Sequence, residues 1–200
     1  MKQLLFILCL FLGFYGSVKG KGINTTARIS GTILKNDKQL DVELKIPLGF
    51  SESINFEKLQ KKIIYYFKGK KHKVRPEEIE EVRFEYKGQK YRLVSLNVKI
   101  TTFTTFKRRL ILRLHKDGSI RLFTILYKDR VGSGSFSTSN YWVINKEGIE
   151  AEVIYGPSRE RILKELKEDC MKIGGQDTST KIIVNDIEDL VDFYNKESTK

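Results

Sequence analysis

Residues 109–127 read RLILRLHKDGSIRLFTILY, and their pattern decides the fold class. Leu110, Leu112 and Leu114 fall on one parity, with Arg109, Ile111 and Arg113 on the other. A period of two marks a strand, because successive side chains leave a pleated backbone on opposite sides. Asp117-Gly118 then interrupts the run. Asp-Gly between apolar alternations is the strongest short hairpin signal in this chain. Residues 120–127 are apolar on both parities, which suits a central strand covered on both faces.

The same reading extends upstream. Ile29, Gly31 and Ile33 alternate with Arg28, Ser30 and Thr32, and Leu40, Val42, Leu44 and Ile46 alternate with Asp41, Glu43 and Lys45. Lys35-Asn36-Asp37-Lys38 between them reads as a hairpin turn. Residues 62–67 (KIIYYF) are β-branched and aromatic. Lys68-Gly69-Lys70 turns that run, and residues 71–74 are expected to pair back on it. Pro76 and the acids after it predict one short helical turn. Val82, Phe84 and Tyr86 alternate again, and Lys87-Gly88-Gln89 turns the chain into residues 91–98. Downstream, residues 131–140 are rich in Gly, Ser and Thr and read as a loop, while 141–144 and 149–155 form a last hairpin.

The periodicity changes after Pro157. Ser158 is a fair N-cap, and Ile162, Leu163, Leu166, Cys170 and Ile173 follow helical spacing up to Gly174-Gly175. Residues 181–184 read as a short extended piece. Asn185, with Glu188 three residues on, reads as a capping pair for a second helix whose face is Ile187, Leu190, Val191 and Tyr194. Strands first and helices last predict an α+β fold: an antiparallel β-sheet, open or barrel-like, followed by two C-terminal helices. One domain is expected over residues 21–200, β-rich over 27–155 and helical over 157–197.

Residues 1–20 report an address. Met1-Lys2 is basic, residues 4–12 are unbroken apolar, and Gly13, Gly16, Ser17 and Gly20 supply small residues near a cleavage point. That layout is a secretory signal peptide. Its core is short of the ~20 apolar residues a membrane span needs. The expectation is export to the periplasm, cell surface or extracellular space, with no transmembrane segment in the mature chain. The net charge is +12, and because Lys2 and Lys19 lie in a segment without acids, residues 21–200 carry +10. A positive field attracts phosphate polymers, acidic glycans and lipid head groups. The 37 bases are interspersed with 25 acids, so solubility is the plainer reading of the charge. Cys9 lies inside the signal and Cys170 is then alone, so no intrachain disulfide forms in the mature chain.

The C-terminal stretch resembles a known group. Residues 163–170 (LKELKEDC) and 189–195 (DLVDFYN) look like the ending shared by small secreted proteins of Bacteroidota, in which one helix ends in Asp-Cys and the next in Tyr-Asn. Arg75-Pro76-Glu77-Glu78-Ile79 leading into Val82-Arg83-Phe84, and the Asp-Gly hairpin at 110–123, resemble their middle. Met171 stands where that pattern has proline, and the N-terminal strand lacks its Gly-Asp-Thr turn. The resemblance implies a secreted β-rich protein and supplies no catalytic residues.

Most catalytic chemistry finds no footing in the residues. His72 and His115 are isolated, so neither a zinc set nor a base for a Cys170 nucleophile is apparent, and Cys170 reads as part of a helix core. Gly132-Ser133-Gly134-Ser135 lacks the Gly-Lys-Ser/Thr ending of a phosphate loop and is no nucleophile elbow. Glu77, Glu78, Glu80 and Glu81 read as a solvated turn. No catalytic residue, metal ligand or cofactor is assigned. The candidate site is an anion-binding strip of Lys68, Lys70, Lys71, Lys73 and Arg75 interleaved with Tyr65, Tyr66 and Phe67, since cations beside aromatics hold phosphates and stack on bases or sugars. Lysines that guard a sheet edge give the same pattern. Lys107, Arg108, Arg109, Arg113 and Arg121 would extend the strip. The expected function is a non-catalytic binding or envelope-associated module whose partner is an anionic polymer or envelope component. The alternatives are an envelope-polymer hydrolase with carboxylates not identified, and a subunit whose strands pair with a protein partner.

Overall fold

The computed structural model describes residues 25–101, 105–131, 135–174 and 186–199. The proposed signal segment, residues 181–184 and Asn185 lie outside the described residues. The strands are β1 (Thr26–Lys35), β2 (Lys38–Pro47), β3 (Ile63–Phe67), β4 (Lys70–Val74), β5 (Glu81–Tyr86), β6 (Gln89–Thr101), β7 (Thr105–Lys116), β8 (Ile120–Val131), β9 (Ser135–Lys146) and β10 (Ala151–Ile154). The helices are a single turn α1 (Phe56–Leu59), α2 (Pro157–Gly174) and α3 (Ile187–Glu197), and Pro76–Glu78 makes the expected short helical turn. Among the described residues no helix is long and apolar enough to cross a membrane.

All ten strands join one sheet in the order β10-β9-β8-β7-β6-β5-β1-β2-β3-β4, and β10 also pairs with β6. Strands β6 to β10 therefore close into a five-stranded barrel, and β5-β1-β2-β3-β4 continue outward from it. The expectation of a purely antiparallel sheet is corrected here. Ala151 pairs with Val98 and Glu152 with Lys99 in parallel. The reason is arithmetic: in an up-and-down meander of five strands the first and last run the same way, so closure requires a parallel pair.

The hairpins at Asn36-Asp37, Lys68-Gly69 and Lys87-Gly88 hold both central residues at positive φ. That is the turn geometry whose twist matches the flanking strands. The Asp117-Gly118 hairpin is built differently. Its turn leaves three residues, 117–119, between β7 and β8. A side chain at Gly118 would collide with Asn195 of α3, whose Cγ lies 2.5 Å from the ideal Cβ position. Two further readings change. The Gly/Ser/Thr run 131–140 is mostly strand, because β8 and β9 pair without a break from Ile120↔Lys146 to Val131↔Ser135. The α3 cap is Asp186, whose carboxylate accepts from the Glu188 N–H at 3.1 Å.

Three apolar clusters follow from strand alternation. Val94, Val98, Leu110, Leu112, Phe123, Ile125, Val143 and Val153 fill the barrel. On the other parity, Leu93 and Ile111 join Ile33, Leu44, Ile46, Leu59, Ile63 and Val82 in the N-terminal core. Ile120, Leu122 and Ile154 meet Ile162, Leu166, Cys170, Leu190 and Val191 beneath the helices. The outer face of β7-β8-β9 is thus covered at one end by α1 and at the other by α2 and α3.

Candidate binding cleft

The predicted basic strip lies on the terminal hairpin of the sheet, with β4 as its last strand. Lys68 is in the turn, its ammonium 5.4 Å from the Phe67 ring centre. Lys70, Lys71 and Lys73 are exposed on β4, and Arg75 is exposed just after it, donating its backbone N–H to Glu78 at 2.7 Å. Alternation divides the strip. Lys71 and Lys73 share a face with their partners Tyr66 and Ile64. Lys70 shares the other with His72, stacked on Tyr65 at 5.0 Å, and with buried Val74. The proposed extension is dispersed as well. Lys107 pairs with Glu150 at 2.9 Å, Arg121 donates to Asn145, and Arg109 donates to Ser95 Oγ at 3.0 Å. Five strands separate β4 from β7 in the sheet order, and the two basic stretches approach where Ser95 Oγ donates to the Pro76 carbonyl.

Two other sequence readings resolve at once. Cys170 is fully buried against α3, its Sγ 3.6 Å from the Leu190 carbonyl, and burial pushes its thiol up to about 11. A thiol so held is a core residue, as its helical face predicted. Glu81 is not part of a solvated turn: it is 7 % exposed and accepts from Arg83 and, at 2.7 Å, from Arg92. The Arg92 side chain pays desolvation, yet Glu81 and Asp117 outweigh it and raise its pKa.

A cleft lies elsewhere, at the seam between β7 and β8. These strands pair at Arg113↔Thr124, Leu114↔Phe123 and Lys116↔Leu122, with a register shift that leaves His115 as the extra residue of a β-bulge. Bulges re-aim a side chain and bend the strand. Beyond each end of this short ladder, a side-chain amide takes the free backbone edge of β8. Asn195 donates to the Ile120 carbonyl and accepts from its N–H, both at 2.8 Å. Gln60, directly after α1, donates to the Leu126 carbonyl at 3.0 Å and accepts from its N–H at 2.6 Å, while the Gln60 carbonyl takes the Ile111 N–H at 3.3 Å.

Between α1 and the helical pair the outer face of β7-β8-β9 stays uncovered. The result is a cavity of about 330 Å³ walled by Phe56, Gln60, Arg113, His115, Thr124 and Trp142. Asn140, Tyr141 and Trp142 also wall a second space of about 700 Å³ that reaches Tyr155, Arg159 and Asp186. These volumes are those of ordinary ligand sites.

The electrostatics of the first cavity are cationic. Arg113 lies beside the rings of Phe56 and Tyr91, 5.4 and 4.9 Å from their centres, and the two rings stand 5.7 Å apart, tilted by 46°. Such cation–π contacts hold a guanidinium without consuming its N–H donors. Among the described residues no carboxylate pairs with it. His115 shares a hydrogen bond with Thr124 Oγ1 at 2.9 Å and meets Trp142 edge-on at 5.1 Å. Desolvation by the cleft walls, then the charges of Arg113 and Lys116, lower its pKa to about 4, so the ring is neutral at neutral pH although its rim faces solvent. No carboxylate stands among the described residues walling the first cavity, and Asp186 stands at the far end of the second. Among the described residues no three His, Cys, Asp or Glu side chains gather as a metal-ligand set.

The arrangement can stack, hydrogen-bond and hold an anion. Sequence reasoning missed Gln60, His115 and Trp142. The available signal was Trp142, the single tryptophan, on the parity opposite buried Val143. No protein-family model, no curated protein and no solved structure matches this chain.

Proposed function

We propose that this is an exported, non-catalytic binding protein, associated with the cell envelope, whose ligand occupies the cleft over β7-β8-β9. The observation that carries the reading is Arg113 in cation–π contact with Phe56 and Tyr91 at the wall of an aromatic cavity, with no carboxylate among the described residues walling it. General acid–base hydrolysis of a glycan needs a carboxyl pair flanking the scissile bond, and this cavity presents a neutral imidazole and an amide instead. Export is supported by the apolar run and small residues of 1–20, and by the likeness of 163–170 and 189–195 to the ending of small secreted proteins of Bacteroidota.

A second reading keeps the basic hairpin as the binding surface, because Lys71 and Lys73 stand side by side near Tyr66, with Arg28 4.2 Å over that ring. The single tryptophan separates the two. Envelope glycans, lipopolysaccharide and nucleic acid are titrated into the protein across a salt series while Trp142 emission is recorded. A ligand in the cleft shifts that emission and depends weakly on salt. A polyanion on the hairpin leaves the emission unchanged, weakens steeply with salt, and is lost on charge reversal at Lys70, Lys71 and Lys73. The cleft reading fails if every ligand that binds behaves in the second way.

A further inference from the structure

We infer that the cleft selects a sugar bearing a carboxylate, with the acid group on Arg113 and the ring against Trp142; this rests on the cleft being the binding site. The argument starts from Arg113. A guanidinium presents a planar fork of donors that matches a carboxylate through two parallel hydrogen bonds. Here the guanidinium carbon lies within 5.4 Å of both the Phe56 and Tyr91 ring centres, so part of the side chain's freedom is already lost before an anion arrives. The side chain is half-buried at the wall of the cavity, and no acidic side chain among the described residues there competes for it.

The remainder of the wall fits a sugar. Apolar C–H faces of a pyranose pack on aromatic rings, and Trp142, on the outer face of β9 and on the parity opposite Tyr141, supplies such a ring where the two spaces meet. Hydroxyl groups need partners that both donate and accept without charge. Asn140 and His115 offer these at the junction of the two spaces and beside Thr124. The two spaces meet along Asn140–Trp142, which gives room for more than one ring. A nucleic-acid strand would instead need a track of cations along its phosphates. The described bases of the cleft are Arg113 at one end and Arg159 toward the other, beside neutral His115.

The test uses the whole chain and Trp142 emission, with calorimetry in parallel. Two acidic probes, trigalacturonate and the disaccharide N-acetylglucosaminyl-N-acetylmuramate, are each set against a neutral counterpart, the methyl ester of the first and chitobiose for the second. The expected result is that at least one acidic probe binds and shifts the emission, while its neutral counterpart binds about tenfold or more weakly, the loss of one charge-assisted contact. Which acid wins identifies the source of the carboxylate. Arg113→Gln should erase the preference, Arg113→Lys should restore part of it, and Asn140→Ala, at an exposed position, should weaken acidic and neutral probes alike. Equal binding of acidic and neutral sugars with an emission shift overturns the carboxylate selectivity and leaves the cleft as the binding site. Absence of binding by all four probes overturns the sugar assignment, and the wider ligand series above then decides whether the cleft binds at all. Because the ester comparison is made on the unaltered protein, a misfolded Arg113 variant does not blunt the test.

Discussion

Strand β8 is bordered by two seams that are built in opposite ways. Toward β9 its backbone pairs continuously, twelve residues against twelve. Toward β7 it makes three pairs around a bulge, and on either side of them the amides of Asn195 and Gln60 take the backbone of Ile120 and Leu126. Those amides come from 66 and 75 positions away in the chain. A buried backbone edge must be satisfied, but it need not be satisfied by another strand. Where it is satisfied by side chains, the sheet can part without penalty, and the cleft lies at that parting. The continuous seam is scaffold, and the interrupted seam gives access.

Substitutions along β8 break this contrast in a graded way. Phe123 is fully buried in the barrel, paired with Leu114 on one side and Val143 on the other. Phe123→Ala removes packing common to both seams and should cost about 3–5 kcal/mol. Urea unfolding followed by far-UV circular dichroism would measure it, and a loss below about 1 kcal/mol would mean the barrel core is not shared as described. Asn195→Ala comes next. It strips both partners from Ile120, whose surroundings are sealed, so about 2–4 kcal/mol is expected. Gln60→Ala strips both partners from Leu126 in the same manner, but that end opens on the cavity, where water can replace the amide, so the loss should be smaller, about 1–3 kcal/mol. Hydrogen exchange at the Ile120 and Leu126 amides reads the two ends separately. If Gln60→Ala is neutral and Trp142 emission moves, β7 and β8 have zipped together and the seam is less fixed than the contrast requires.

What the sequence made legible tracks the locality of the cause. Alternation at 29–46, 82–98 and 110–127 placed the strands because the pleat itself dictates a period of two. The face of Ile162, Leu166 and Cys170 placed α2 and buried the thiol for the corresponding reason. The parallel β6–β10 closure was not legible, because it follows from the count of strands in the meander and not from any residue. Residues 135–140 were misjudged because Ser and Thr serve loops and strands alike, and the unbroken register with β8 decides between them. The basic hairpin was easy to see, since charge runs stand out in a sequence. The cleft was hidden because Gln60, Arg113, His115 and Trp142 come from three separate places, the end of α1, β7 and β9, and none is conspicuous beside its neighbours. The buried Glu81 was hidden in the same way, among exposed Glu77 and Glu78.

The smallest expected effect tests the bulge. His115 has a folded pKa of about 4 against an ordinary value of 6.5, held down first by desolvation within the cleft and then by Arg113 and Lys116. When the folded value is the lower one, the unfolded chain binds the proton more readily between those values. Folding stability is then fully present above about pH 6.5 and declines as the pH falls toward 4, where the folded imidazole also becomes charged. Since the ring rim is open to water, solvent screening makes the slope shallow. His115→Gln keeps a polar group able to reach Thr124 and removes the titration. Urea midpoints at pH 7.5 and pH 4.5 should therefore fall further for the unaltered protein than for the variant. Asp169 is held below its usual range by Lys146 and loses its contribution at still lower pH, so it does not confuse the comparison. An equal fall in both proteins would place the imidazole in ordinary solvent, and with it would go the description of the bulge as the wall of a desolvated cleft.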